Sequence, residues 1–401
     1  MLNKNKIIKI GLIATLVVFA VLCIVVLSKK NSQYNKKNDS RVLSTWDMDM
    51  TPQEKGIVSW SSYGKKDDMM YIFNGGTVFK WDYKSVGFRP ACDDPACEHS
   101  TDECPALFPL DVYERVVYYN DHWIYVEKDD ANRYYLGYCD FDGNNRKRVL
   151  DITDDVKGTA SMMYLEICGG KIYCGYNLQV IDYDDAGDWD TKSRLCVMEY
   201  DVQHLKGDKA YSRQLFLCDD DQTWHFYSVN NNKMVIDVPV PKSDTYVEFG
   251  EERIYDLKDL SYITVKETQY VGLLSDNRYV SKEKEGLILV DGDKRIRLEG
   301  KGWGVPFYND NRIYAINTQY RQSVHDQENG KLIDGEVKAY DYEGNVVEHI
   351  YLPKGYGVRD GIAAYDGRYY FTNIDYSTRS YFYVYDTQNP DKGWKRINRG
   401  Y

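Results

Sequence analysis

Histidine is scarce in this 401-residue chain: six copies stand at positions 99, 122, 204, 225, 325 and 349, and no two form an H-E-x-x-H pair. A G-x-S-x-G turn and a G-x-x-x-x-G-K-[ST] loop are also missing. These gaps leave no zincin, serine-elbow or phosphate-cradle constellation, so no catalytic residue is assigned. No long amphipathic helical pattern interrupts the body, which argues against alternating βαβ units. Net positive charge is absent as well. Residues 1–40 hold seven lysines against one acid, whereas residues 41–401 hold 44 basic against 61 acidic residues, leaving the body at −17. Such a body disfavours nucleic acid, whose phosphates need neutralising. Cationic ligands, metal ions and basic peptides suit it better.

Tyrosine, in contrast, is abundant, with 38 copies. Its ring packs on a pleated surface while its hydroxyl reaches water, so a β-rich fold is indicated. From residue 60 onward a theme recurs: a turn of Asp, Asn or Gly, a short strand containing Ile-Tyr or its equivalent, then a companion strand. The first strand occurs seven times, in "DDMMYIF", "NDHWIYVE", "GGKIYCGY", "NNKMVIDV", "SDNRYVSK", "NDNRIYAI" and "YDGRYYFT". Turns such as "DFDGNN" and "DYEGN" supply the positive φ that tight hairpins need. Four-strand units recurring at about 40 to 50 residues are the mark of propeller blades. The expectation is therefore an all-β, β-propeller body over residues 42–401, with seven blades and six or eight as the alternatives. Residues 42–66 are expected to lend an outer strand that closes the ring.

Residues 10–27 ("IGLIATLVVFAVLCIVVL") are 18 uncharged, mostly apolar residues behind Lys4, Lys6 and Lys9. At about 1.5 Å per residue the run reaches roughly 27 Å, enough to cross hydrocarbon, and no A-x-A exit follows it. A cytoplasmic tail (1–9), a transmembrane signal anchor (10–28) and a basic polar stalk (29–41) are expected. Lysines on both sides leave the orientation unresolved by charge alone. Eight cysteines in a large following domain favour a single-pass membrane protein with its body extracytoplasmic.

Four residues of "ACDDPACEHSTDEC" (91–104) are candidate metal ligands: Cys92, Cys97, His99 and Cys104. Three thiolates and an imidazole make a closed Cys3His zinc site, with no open position for catalysis. An oxidising exterior ranks a disulfide within Cys92, Cys97 and Cys104 ahead of zinc. Cys174 and Cys196 fall on neighbouring strands, where a cross-strand disulfide or two buried thiols are both open readings. Asp182, Asp184, Asp185, Asp188 and Asp190 could offer hard oxygens to calcium. Ala186 and Ser193, however, occupy EF-hand ligand positions, and a solvated loop is preferred.

The blade "DDMMYIFNGGTVFKWDYKSVGFRP" followed at once by C-x4-C-x-H-x4-C-P resembles the membrane-anchored propeller-like proteins of clostridial Gram-positive bacteria. Those are domains of unknown function distantly similar to TolB-type propellers. Cys92, Pro95, Cys97, His99, Cys104 and Pro105 match their cysteine segment, here the loop 91–105. The resemblance implies fold and place rather than chemistry. Taken together, the chain reads as a membrane-tethered propeller binding an envelope protein, peptide or glycan without catalysis. A cell-surface polysaccharide hydrolase or lyase and an envelope scaffold stand as the alternatives.

Overall fold

The chain divides into two units, Met1–Ser44 and Thr45–Tyr401. The computed structural model describes residues 62–399 apart from several internal stretches, the longest being 239–249, 317–335, 352–361 and 373–380. The expected tail, anchor and stalk lie outside the described residues. Among the described residues, no helix is long and apolar enough to cross a membrane. Those residues form 27 strands and a short 3-10 turn, Pro390–Lys392.

The strands follow one another as antiparallel meanders. The first group is β1 (Ser62–Lys66), β2 (Met69–Asn74), β3 (Thr77–Asp82) and β4 (Gly87–Pro90). The second is β5 (Val117–Tyr119), β6 (His122–Lys128), β7 (Tyr134–Asp140) and β8 (Lys147–Asp151). Next come β9 (Thr159–Cys168), β10 (Lys171–Tyr183), β11 (Trp189–Lys206) and β12 (Lys209–Leu217). A seven-stranded sheet then runs through β13 (His225–Asn230), β14 (Lys233–Val238), β15 (Gly250–Asp256), β16 (Tyr262–Leu273), β17 (Tyr279–Glu283), β18 (Gly286–Asp291) and β19 (Lys294–Glu299). Strands β20 (Phe307–Tyr308), β21 (Ile313–Ile316), β22 (Glu336–Tyr340) and β23 (Val346–Tyr351) make another sheet. The last group is β24 (Ile362–Tyr365), β25 (Tyr369–Thr372), β26 (Tyr381–Asp386) and β27 (Trp394–Arg399).

Local chemistry explains the hairpins. Asn120-Asp121, Gly169-Gly170 and Asn231-Asn232 each place two consecutive residues at positive φ. They join Tyr119↔His122, Cys168↔Lys171 and Asn230↔Lys233. Two positive φ values define the turn whose twist matches paired strands, and Asn, Asp and Gly adopt it at least cost. The Ile-Tyr repeat falls on β2, β6, β10, β14, β17, β21 and β25.

Strand β16 serves two groups. Its first half pairs with β15 and its second half with β17. At the change of partner the register shifts, and Glu267 stands at φ 53°. Thr268 Oγ1 accepts from the Tyr270 N–H at 3.2 Å and lies 3.0 Å from the Lys282 carbonyl oxygen, pinning the corner.

The two ends of the body meet edge to edge. Strand β27 pairs in parallel with β4 through Asn398↔Gly87 and Arg399↔Phe88, giving the order β1-β2-β3-β4-β27-β26-β25-β24. Of the stretch 42–66, expected to lend a closing strand, residues 42–61 lie outside the described residues. The described part of that stretch, β1, pairs with β2 at the opposite side of its group, and β27 satisfies the free backbone edge of β4.

Packing between groups is aromatic. Tyr138, Tyr176 and Tyr200 share one buried cluster with Ile124 and Ile172, and Phe226 packs with Tyr173 and Val197 in another. Each such ring contributes about 2 to 3 kcal/mol on burial.

Candidate metal centre

The cysteine loop leaves the sheet at the end of β4 and returns beside β3. The Ala91 N–H donates to the Val78 carbonyl at 2.8 Å, and the Val78 N–H donates to the Ala106 carbonyl at 2.8 Å. One residue therefore closes the neck on both sides. Within the loop, the Cys97 N–H donates to the Asp94 carbonyl at 3.1 Å and the Ala96 N–H to the Asp94 carboxylate at 2.9 Å. Asp followed by Pro is the composition such a turn requires, and the turn folds Cys97 back over Cys92.

These constraints bring all four expected ligands together. The sulfurs of Cys92, Cys97 and Cys104 and a ring nitrogen of His99 all lie within 4.8 Å of one another. His99 Nδ1 is 3.4 Å from Cys104 Sγ. A tetrahedral zinc ion with Zn–S of about 2.3 Å and Zn–N of about 2.0 Å sets S···S near 3.8 Å and N···S near 3.5 Å. The residues present therefore fit such an ion. His99 also sits at φ 50°, a conformation that Gly or Asn ordinarily takes, so the loop bears backbone strain to present the imidazole.

The surroundings are half dry. Cys92 and Cys104 are buried in one cluster with Phe73, Trp123, Cys139 and Phe141, while Cys97 and His99 are half-buried. Burial, followed by the neighbouring Cys97 thiol, pushes Cys104 up to about 12. A thiol so placed ionises only with a compensating cation.

Two supports were not legible in the sequence. Buried Lys80 pairs with the Asp93 carboxylate, and that hydrogen bond holds Asp93 below its ordinary range. On the far side, Arg146 donates to the Pro105 carbonyl at 2.8 Å and to the Leu107 carbonyl, and it covers the Phe108 ring at 4.6 Å. Gly143, in the β7–β8 turn, lies so close that a Cβ there would stand 1.8 Å from the Pro105 carbonyl oxygen. The loop thereby binds the first strand group to the second. In the sequence Gly143 and Arg146 read only as turn residues, because their partners lie about 40 positions away.

The remaining candidates separate. Cys92, Cys97 and Cys104, among which a disulfide was ranked first, carry no bridge in this structure. The three sulfurs gather with His99 around a common point instead of closing one pair. Cys174 and Cys196 do lie on neighbouring strands, but the register sets Cys174 opposite Met198 and Cys196 opposite Tyr176. Diagonal neighbours stand about 7 to 8 Å apart, too far for a bridge that needs Cβ atoms about 4 Å apart. Both thiols are buried. The side chains of the calcium candidates Asp182 to Asp190 lie outside the described residues.

No family model and no curated protein matches the chain. Its fold is similar to that of an acylaminoacyl peptidase from Pyrococcus horikoshii, with a TM-score of 0.51 at 11% identity over 86% of this chain and 52% of that one. The propeller domain of the Trilobed protease from Pyrococcus furiosus (TM-score 0.46, 12% identity, 86% and 98% covered) and the tricorn protease (0.47, 10%, 88% and 36%) also align. The chain spans about a third of the tricorn protease and about half of the acylaminoacyl peptidase. The expectation of a non-catalytic binding propeller is corrected: the fold is similar to that of a peptidase. The chain is an all-β protein of successive antiparallel strand groups, similar in fold to the acylaminoacyl peptidase.

Proposed function

We propose that the chain is a zinc-stapled, seven-bladed propeller of peptidase type, held outside the membrane by residues 10–28, and that peptides are its substrate class. The observation that carries the zinc assignment is the convergence of Cys92, Cys97, His99 and Cys104 within 4.8 Å at the junction of the first two strand groups. Four protein ligands leave no open coordination position, so the ion is structural. It also protects three thiols in an oxidising compartment. The blade count is supported by the strand order: if the second half of β16 is the inner strand of the β17–β19 group, every group has four strands and there are seven. The β4–β27 pairing, which joins the first group to the last, supports a closed ring. The extracytoplasmic placement is supported by the apolar run and by the resemblance of the cysteine segment to anchored clostridial propellers. The peptide class is supported by the likeness in fold to an acylaminoacyl peptidase.

Metal analysis and thiol titration of the full-length chain, purified in mild detergent, test the staple. We expect one zinc per chain, with Cys92, Cys97 and Cys104 becoming reactive only after chelation. Bridged sulfurs without metal would overturn the assignment. New termini in a mixture of short peptides, read by mass spectrometry, test the substrate class, and an unchanged mixture would remove it.

A further inference from the structure

A second polar cluster lies far along the chain from the cysteines, on β13 to β16. His225, Asp237 and Glu252 stand directly opposite one another on three successive strands, through His225↔Asp237 and Asp237↔Glu252. Directly paired residues share one face, with Cβ atoms about 4.5 to 5.5 Å apart. The same face carries Val235, Ile254 and Val265 at its apolar end. Two like charges so placed repel, and a strand pair ordinarily avoids them.

Glu252 is only 1% exposed, yet neither carboxylate oxygen has a hydrogen-bond partner. The Val271 N–H approaches it without completing a hydrogen bond. Leaving a buried charged group without a partner costs several kcal/mol, so such groups are rare in native interiors. Asp237 is half-buried and supplies the solvent-facing side of the pair.

The wall around the pair is aromatic. Tyr227 lies in the field of both carboxylates, and Tyr270 in that of Glu252 and Glu166. The Tyr164 hydroxyl meets His225 Nδ1 at 3.3 Å, and burial holds His225 below its ordinary value, neutral at pH 7. Tyr308 closes the far side beside Tyr270. Among the described residues, no lysine or arginine offsets either Asp237 or Glu252.

We propose that Asp237 and Glu252, walled by Tyr227 and Tyr270, form a binding site for a protonated primary amine. The pair supplies the negative charge and the acceptors for three N–H donors, and the rings supply faces that attract a cation. With only two carboxylates and a neutral imidazole bonded elsewhere, the group is poorer in hard ligands than a calcium site requires. A net charge of −17 in the body draws cations toward it. The site shares no residue with the metal centre, so its failure and that of the zinc reading are separable.

Calorimetry on the full-length chain tests the proposal. The probes are N-acetyl-lysine methylamide, alanine methylamide with its free α-amine, and calcium chloride. Saturable binding of one amine at pH 7 is expected, weakened at least tenfold in Glu252→Gln and in Asp237→Asn. Because burial raises the Glu252 carboxyl to about 8, amine binding should release a proton, seen as a heat that changes with the ionisation enthalpy of the buffer. The two amines distinguish a lysine side chain from a chain terminus. Binding of calcium alone, or amine binding that both variants leave unchanged, would overturn the assignment. So would absence of any amine heat in a wild-type protein that melts cooperatively.

Discussion

Replacing Glu252 with Gln should stabilise the ligand-free protein, and by an amount that depends on pH in a calculable way. In the folded chain, burial and the facing Asp237 raise the Glu252 carboxyl from the ordinary 4.5 to about 8. Between those values the unfolded chain is ionised while the folded one holds its proton. Stability therefore falls as pH rises, by about 1.4 kcal/mol per unit, and the loss is complete once pH passes the folded value. The full cost approaches about 5 kcal/mol at pH 8 and vanishes below about pH 4.5. Asp237, raised to about 6, adds to the loss in the window between its ordinary 3.8 and 6. Gln has the shape of the protonated acid and no charge to bury. Urea unfolding followed by tryptophan fluorescence, at several pH values from 4.5 to 8.5, should show the two proteins nearly equal at the acid end. Glu252→Gln should be the more stable by several kcal/mol at pH 8. A constant difference across the range, or a wild type whose stability relative to the variant rises with pH, would refute the reasoning.

Three further outcomes follow from the packing. Gly143→Ala forces a Cβ into the Pro105 carbonyl at φ +81° and should cost at least about 2 kcal/mol, with a matching fall in bound zinc read by metal analysis. Gly272→Ala places a Cβ 2.3 Å from the Tyr308 ring and should lower the melting temperature, with Tyr308→Ala recovering part of the loss in the double variant. Arg146→Met keeps the chain length but leaves the Pro105 and Leu107 carbonyls without their donor. It should cost about 1 to 3 kcal/mol and speed chelator removal of zinc, followed by absorbance of a released-metal indicator.

Much of the architecture was written locally. The Ile-Tyr strand and its companion share a hairpin whose turn chemistry lies within a few residues, so "NDHWIYVE" and "LGYCDFDG" announce β6 and β7 without reference to the rest of the chain. The strands that flank those hairpins were less visible. Val117–Tyr119 and Phe307–Tyr308 are too short to show a period, and the corner in β16 depends on a bulge that composition does not mark. The same distinction runs through the sites. Cys92, Cys97, His99 and Cys104 lie within thirteen positions and were found by spacing. Their clamp, Arg146, and the pairing of Asp237 with Glu252 exist only once the strands are in register. In "FGEERIYD" two acids look like an exposed edge, and only the sheet shows that Glu252 points inward while Glu251 does not.

The seam between β4 and β27 also orders events in time. The edge of β4 is made early, and its partner β27 arrives about 300 residues later. Until then the first group has one bare edge, and an unfinished chain presents that edge to any other strand nearby. The cysteine loop begins at the residue after β4 and engages β7–β8 long before the seam can close. A metal bound there would secure the opening junction during that interval, so a cell short of zinc should accumulate aggregates of nascent chains before it loses any mature protein.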